Sequence, residues 1–138
     1  MYRSTLPLTH RPTREGTIVD DAHVPAYLAL ELATEAWASA LHHASAGAFT
    51  AREVVIVNVA SDFSRELLVG TVDVEVVVKR VGRSSVVVEV GIEQDGVRAA
   101  VASFTLVHVV DGVARPFTHA QRRILEVSAG SLEGNTVT

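Results

Sequence analysis

An Ala- and Leu-rich segment from Pro25 to about His43, which contains no glycine, constrains the fold more than any other part of the sequence. Because proline is well tolerated at the first position of a helix, Val24-Pro25 predicts a helix start. Drawn at 100° per residue, the segment leaves only about a third of its circumference to polar side chains. Its broad apolar arc consists of Leu28, Ala29, Leu30, Leu32, Ala33, Ala36, Trp37, Ala40 and Leu41. A helix this apolar has to be largely enclosed by other elements.

The rest of the chain has strand patterns. Pro7 and Pro12 predict an edge strand within residues 1–13, since proline cannot donate to a central ladder. After residue 52 apolar side chains alternate with polar ones, and Asp95-Gly96 and Asp111-Gly112 predict tight turns. These signals bound four predicted strands at 53–60, 71–80, 85–93 and 97–110. A short closing helix is predicted at 119–126.

This order of elements predicts an α+β fold in which a curved antiparallel sheet of five to six strands wraps one long central helix. The 138 residues fit a single domain. We assign residues 1–127 to it and expect residues 128–138 to form a flexible tail.

Composition excludes several classes of function. The chain has no cysteine, which rules out thiol nucleophiles, thiolate metal sites and disulfides. Its net charge is −4 and its basic residues are scattered, which argues against a nucleic-acid surface. No pair of histidines has a metal-binding spacing, so we expect no metal. No apolar run resembles a secretion signal or a membrane span, so a cytoplasmic protein without membrane contact is expected.

Several motifs then carry a family resemblance over residues 53–116. They are Asp62-Phe63, Gly70, the corner Arg80-Val81-Gly82-Arg83-Ser84-Ser85, the strand end Val107–Gly112, and Arg115-Pro116. Together they resemble hotdog-fold acyl-CoA thioesterases of the 4-hydroxybenzoyl-CoA thioesterase type. The resemblance implies the hotdog fold, coenzyme A as part of the substrate rather than a cofactor, and an active site between two subunits. It therefore implies a homodimer or homotetramer.

Two alignments with this family are possible, and they give different residues as the catalytic carboxylate. The family carries Asp-x-Asp before a helix tyrosine, and an ungapped match on Tyr27 puts Glu15 and Thr17 at those places. Matching His23-Val24 to the family's His-Val pair offers Asp20 or Asp21 instead, at the cost of a two-residue deletion.

Thioester hydrolysis needs a carboxylate to attack the carbonyl or activate water, and donors for the developing oxyanion. A helix N-terminus supplies such donors, which here would be the amides of Val24, Ala26 and Tyr27. Asp20, Asp21 and His23 lie directly upstream and are candidate catalytic groups. Capping of the helix is the structural alternative for the aspartates, and simple exposure is the alternative for the histidine.

Two further groups complete the candidate site. Glu31 is a candidate helix nucleophile or base, whereas a solvated or subunit-facing stripe with Glu35 would also explain it. The second group is the corner, with Arg80, Gly82, Arg83, Ser84 and Ser85. In the hotdog pattern this corner lies where the pantetheine arm and phosphates of coenzyme A pass, and its guanidinium groups suit phosphate oxygens. A plain hairpin turn is the structural alternative for the corner.

The leading functional hypothesis is hydrolysis of a small or medium acyl thioester carried on coenzyme A or on an acyl-carrier protein. A hotdog dehydratase or hydratase is the enzymatic alternative, because His23 and Glu31 or Glu35 loosely match its His and Glu pair. A non-catalytic acyl-CoA-binding protein is the third hypothesis.

Overall fold

The computed structural model describes residues 1–11 and 22–137, and only the backbone of residues 129–137. The described chain contains two helices, a short 3₁₀ turn and eight strands. The helices are α1 (Ala26–Ser45) and α2 (His119–Val137), and the 3₁₀ turn covers Ala51–Glu53. The strands are β1 (Tyr2–Leu8), β2 (His23–Val24), β3 (Val54–Phe63), β4 (Leu67–Leu68), β5 (Gly70–Val81), β6 (Ser85–Gln94), β7 (Val97–Val110) and β8 (Val113–Ala114).

The main sheet is antiparallel and has the strand order β1-β5-β6-β7-β3, with β8 folded back onto the end of β7. Strands β2 and β4 form a separate two-stranded pair. This architecture confirms the predicted hotdog fold and the predicted edge position of β1. The second helix, α2, begins where the sequence predicted a short closing helix.

The sheet forms because its strands alternate between an apolar and a polar face. On the inner face of β5 and β6, Val74 is opposite Ile92 and Val76 is opposite Val90, and all four side chains are buried. The Asp95-Gly96 turn joins β6 to β7 with positive φ at both residues, 53° and 76°, as predicted for this hairpin.

Helix α1 lies on this apolar inner face of the sheet. Leu30 and Ala40 are only partly buried. The buried face is therefore turned slightly from the centre of the predicted arc. The ring of Trp37 on this helix contacts the ring of Phe104 on β7, with centroids 6.2 Å apart. The buried residues of the helix are Leu28, Ala29, Leu32, Ala33, Ala36, Trp37 and Leu41.

Helix α2 packs mainly against β5 and is longer than the predicted segment 119–126. Its Leu125 side chain reaches the core and is 1% exposed. The helical backbone continues to Val137, through residues for which the sequence predicted a flexible tail.

The chain passes from α1 to β3 through a capped turn. Helix α1 ends at Ala46, whose φ of 53° is left-handed, and Gly47 N–H donates to the carbonyl of His42. A capping box follows, in which the amide and hydroxyl of Thr50 donate to Glu53 Oε2 at 2.6 and 2.8 Å. Burial raises the pKa of Glu53, but the Thr50 hydrogen bonds outweigh it, so the pKa of this carboxyl lies below its ordinary value.

We expect Glu53→Gln to destabilise the fold at neutral pH by on the order of 1 kcal/mol, because the amide accepts weaker hydrogen bonds than the carboxylate. A carboxylate with a lowered folded-state pKa stabilises the fold above its ordinary pKa, and this stabilisation is lost as the pH falls through the folded-state value. Urea denaturation at pH 7 and at pH 3 should therefore show the difference between variant and wild type shrinking in acid. A difference that is equal at both pH values would contradict this account.

Candidate functional site

Among the described residues, no side chain caps the N-terminus of α1. Pro25 is the N-cap residue, one place before the predicted first helical position, and no side chain of the cap bonds the helix. The first turn has no acidic residue, and Leu28 N–H bonds the Pro25 carbonyl at 3.1 Å. Ala26 and Tyr27 begin the helix, so their amides have no partner within it and lie at the positive end of its dipole.

A strap formed by residues 64–69 holds the chain in front of this helix end. The amides of Ser64 and Arg65 both donate to the carbonyl of Ala99, at 2.9 and 3.3 Å. The side-chain amide of Gln94 bonds both the N–H and the carbonyl of Leu68, at 2.8 and 2.7 Å. Leu67 is 2% exposed and faces Val24 across the β2–β4 pair. The strap therefore ties β2 to the sheet on both sides.

This pairing places a carboxylate beside His23 that the sequence did not predict as a site residue. His23 Nε2 lies 3.0 Å from Glu66 Oε2. Glu66 is far from His23 in the chain, and only the register of β2 on β4 brings them together. No local sequence motif around Glu66 signals this contact.

The other residues predicted at this end of α1 differ in exposure. Tyr27 is 46% exposed, whereas the side chain of Val24 is buried and its backbone is paired with Leu67. Of the three predicted amide donors, Ala26 and Tyr27 therefore remain the better placed. The candidate carboxylates Asp20 and Asp21, like Glu15, lie outside the described residues and stay predictions.

Glu31 is engaged in an ion pair. Arg11 Nη1 donates to Glu31 Oε1 at 3.2 Å, and Arg11 Nη2 contacts the other carboxylate oxygen. The pair is half-exposed and ties α1 to the segment that follows β1. A nucleophilic role for Glu31 would require this pair to open.

The corner 80–85 is held from inside through its carbonyl groups. Ser84 O accepts from His108 N–H at 2.8 Å, and Arg83 O accepts from Phe117 N–H at 2.9 Å. Gly82 O accepts from Arg122 Nη2 at 2.6 Å. A side chain at Gly82 would crowd Ser85, because a Cβ would lie 2.9 Å from its hydroxyl and 3.2 Å from its carbonyl oxygen.

Buried His108 fixes the neighbouring exit from β8 and has a structural role. Its Nδ1 lies 2.9 and 3.1 Å from the carbonyls of Arg115 and Pro116, and its ring stacks on Phe117. Nε2 faces the side-chain amide of Gln121 at 3.3 Å. The histidine therefore anchors the segment that in turn holds the corner.

The outer side of the corner presents donors. Arg80 and Arg83 are exposed, and neither guanidinium forms an ion pair within the part of the chain that the structure describes. With the corner carbonyls turned inward, these guanidinium groups and the hydroxyl groups of Ser84 and Ser85 are suited to an anion such as a phosphate.

The structure does not bring the two predicted groups together within one chain. Strand β5 begins at Gly70, next to the strap, and ends at Val81, next to the corner. Its 12 residues rise by about 3.3 Å from one to the next, so its ends are roughly 36 Å apart. His23, Val24 and Tyr27 therefore lie at one end of the sheet, and the corner lies at the other.

Neither a metal site nor a membrane span is found among the described residues. In those ranges, no group of three or more histidine, aspartate or glutamate residues could hold a metal ion. Neither described helix is both long and apolar enough to cross a membrane.

Solved structures share this fold at low sequence identity. A thioesterase of Thermus thermophilus, solved with coenzyme A and zinc, is 23% identical, with 93% of each chain covered and a TM-score of 0.77. A Staphylococcus aureus protein solved in complex with CoA is 10% identical over 93% of this chain and 83% of its own, with a TM-score of 0.77. A Pseudomonas aeruginosa protein is 18% identical over 93% and 91%, with a TM-score of 0.71.

The sequence itself decides the family. No curated protein matches the chain. The family description of the thioesterase superfamily matches residues 22–101, a span that includes β2, the whole of α1, the strap and the strands up to the fifth residue of β7. More than half of the chain lies within this match, and the chain therefore belongs to the thioesterase superfamily.

Proposed function

We propose that the chain hydrolyses the thioester bond of a small or medium acyl-CoA. The observation that carries this proposal is the N-terminus of α1, where proline is the N-cap residue and supplies no side-chain cap, with His23 two residues before it. The amides of Ala26 and Tyr27 can donate to a carbonyl oxygen as it becomes an oxyanion, and such donors are commonly the largest contribution to acyl-transfer catalysis. An imidazole beside the same carbonyl can act as a base.

The proposed reaction adds water to the thioester carbonyl. His23 takes a proton from the attacking water, and the C–O bond forms as the carbonyl oxygen becomes an oxyanion. The oxyanion then collapses, the C–S bond breaks, and the imidazolium returns its proton to the departing thiolate. The products are the carboxylic acid and free coenzyme A. In an alternative assignment Asp20 or Asp21 is the base, as the sequence predicts.

We infer that a second copy of the chain completes the site. Strand β3 is an end strand of the sheet, and it exposes apolar side chains along its length. An edge of this kind is a template for pairing with another chain. The exposed apolar residues are Val55, Ile56, Val57, Val59 and Phe63.

Antiparallel pairing of two β3 strands would place opposite ends of the two sheets next to each other. The Val54 end of β3 lies opposite His108, near the corner, and the Phe63 end lies opposite Ala100, near the strap. In a two-fold dimer the Val54 end of one copy meets the Phe63 end of the other. The corner of one copy would then lie on the same side as His23 of its partner, where it can bind the phosphates of coenzyme A.

We expect His23→Gln to lower the turnover number by roughly 10²-fold, because the base is removed while the amides of α1 remain. The measurement is thiol release from acyl-CoA esters of increasing chain length and from an acyl-carrier protein. His42→Gln, at the opposite end of α1, is the matched control and should leave turnover unchanged. A wild-type rate retained by His23→Gln, with loss in Asp20→Asn or Asp21→Asn, would transfer the role of base to that aspartate.

Two other outcomes would overturn the proposed hydrolase. Tight binding of coenzyme A by calorimetry, without thiol release from any ester, would identify a binding protein. Hydration of crotonyl-CoA without hydrolysis would identify a hydratase.

The composite site predicts complementation between variants. His23→Gln and Arg83→Glu should each be weakly active alone, whereas unfolded and refolded mixtures should regain about a quarter of the wild-type activity through mixed dimers. In such a dimer one site has both defects and the other has neither.

The matched test of the interface is Val59→Glu, which should produce monomers in light scattering, whereas Val127→Glu on α2 should not. Absence of recovery in the mixture, or a wild-type chain that is monomeric, would contradict the composite site.

A further inference from the structure

We propose that Glu66 is a positioning residue for His23: its carboxylate keeps the imidazole proton on Nε2, so that Nδ1 carries the lone pair that accepts the proton of water. The contact between Glu66 Oε2 and His23 Nε2, 3.0 Å long, is the geometric basis. A neutral imidazole has one protonated and one basic nitrogen, and an anion beside one of them selects which is which. This inference rests on the proposed function for the identity of the reaction.

The backbone holds Glu66 in place although its side chain is exposed. On one side, Arg65 N–H donates to the carbonyl of Ala99. On the other, Leu67 is buried in the core and paired with Val24, the residue that follows His23. The backbone positions of the two partners are therefore set by the same β2–β4 register.

The exposure of the two side chains distinguishes a positioning role for Glu66 from a role in stabilising the fold. The side chain of His23 is 45% exposed and that of Glu66 is 79% exposed. Ion pairs this exposed contribute little to folding, because water screens them. Loss of the Glu66 charge should thus leave the fold nearly as stable as before, while the orientation and tautomer of His23 change.

The carboxylate also acts during the reaction. When His23 takes the proton from water, the ring becomes a cation, and the adjacent anion stabilises it. The proton later passes from Nδ1 to the thiolate, so Glu66 neither gains nor loses a proton. The carboxylate would act through the histidine and need not contact the substrate.

The kinetic test compares Glu66→Gln with Asp95→Asn, an exposed turn carboxylate whose replacement tolerates the same positive φ. Glu66→Gln should lower kcat about 10-fold with little change in KM, and Asp95→Asn should change neither. In the His23→Gln background, Glu66→Gln should cause no further loss, because residues that act as a unit are not additive. An equal loss in both backgrounds would overturn the proposal.

A spectroscopic test does not depend on turnover. Long-range ¹H–¹⁵N spectra above pH 8 should show the Nε2–H tautomer for His23 in the wild type, with the signal assigned by its absence from His23→Gln. Glu66→Gln should reduce the preference for this tautomer. An Nδ1–H tautomer in the wild type would overturn the role of Glu66, even in an active enzyme. Absence of thiol release would overturn the proposed hydrolase instead, while the tautomer would still decide whether Glu66 positions the ring.

Discussion

Burial of α1 against the concave face of the sheet is the interaction on which the rest of this structure depends. The helix presents Leu, Ala and Trp side chains over most of its surface, and each large one stabilises the fold by about 1.5–3 kcal/mol when it leaves water. A flat sheet could cover only one side of it. The five main strands therefore curve around the helix, and α2 covers part of the remaining inner face beside β5.

Enclosure of the helix also determines where chemistry can occur. Buried side chains along α1 leave its N-terminus as the place where its backbone donors can meet a substrate. The strap and β2 lie in front of that end, and they pair with one another in a ladder separate from the main sheet. A small two-stranded element, tied by Gln94 and by the carbonyl of Ala99, thus holds Glu66 beside His23, three residues before the start of α1.

The length of β5 keeps the corner, residues 80–85, away from the N-terminus of α1. A strand of 12 residues carries the chain from the strap to the corner, so the corner is well ordered but remote from the helix N-terminus. Four features hold it: Gly82, buried His108, Phe117 and Arg122. A second copy paired along β3 would resolve this separation, and it would cover the apolar residues that β3 exposes.

Local patterns in the sequence determined the core of the fold. The run from Pro25 predicts α1 because its apolar spacing is helical, and Asp95-Gly96 predicts its hairpin because both residues tolerate positive φ. His23, Val24 and Tyr27 could be assigned to one end because they are neighbours of the helix start. These are short-range effects, and each can be read from adjacent residues.

Only the tertiary structure decided the rest. Glu66 lies beside His23 through the register of β4 on β2, and hydrogen bonds between distant strands set that register. Gly130 and Gly134 disfavour a helix locally, yet the backbone of α2 runs through both. The family motifs placed the corner in the ligand site, but in one chain β5 separates it from the helix start. The sequence thus determined which elements form, whereas long-range pairing decided which side chains meet, since contact energies between distant segments leave no local pattern.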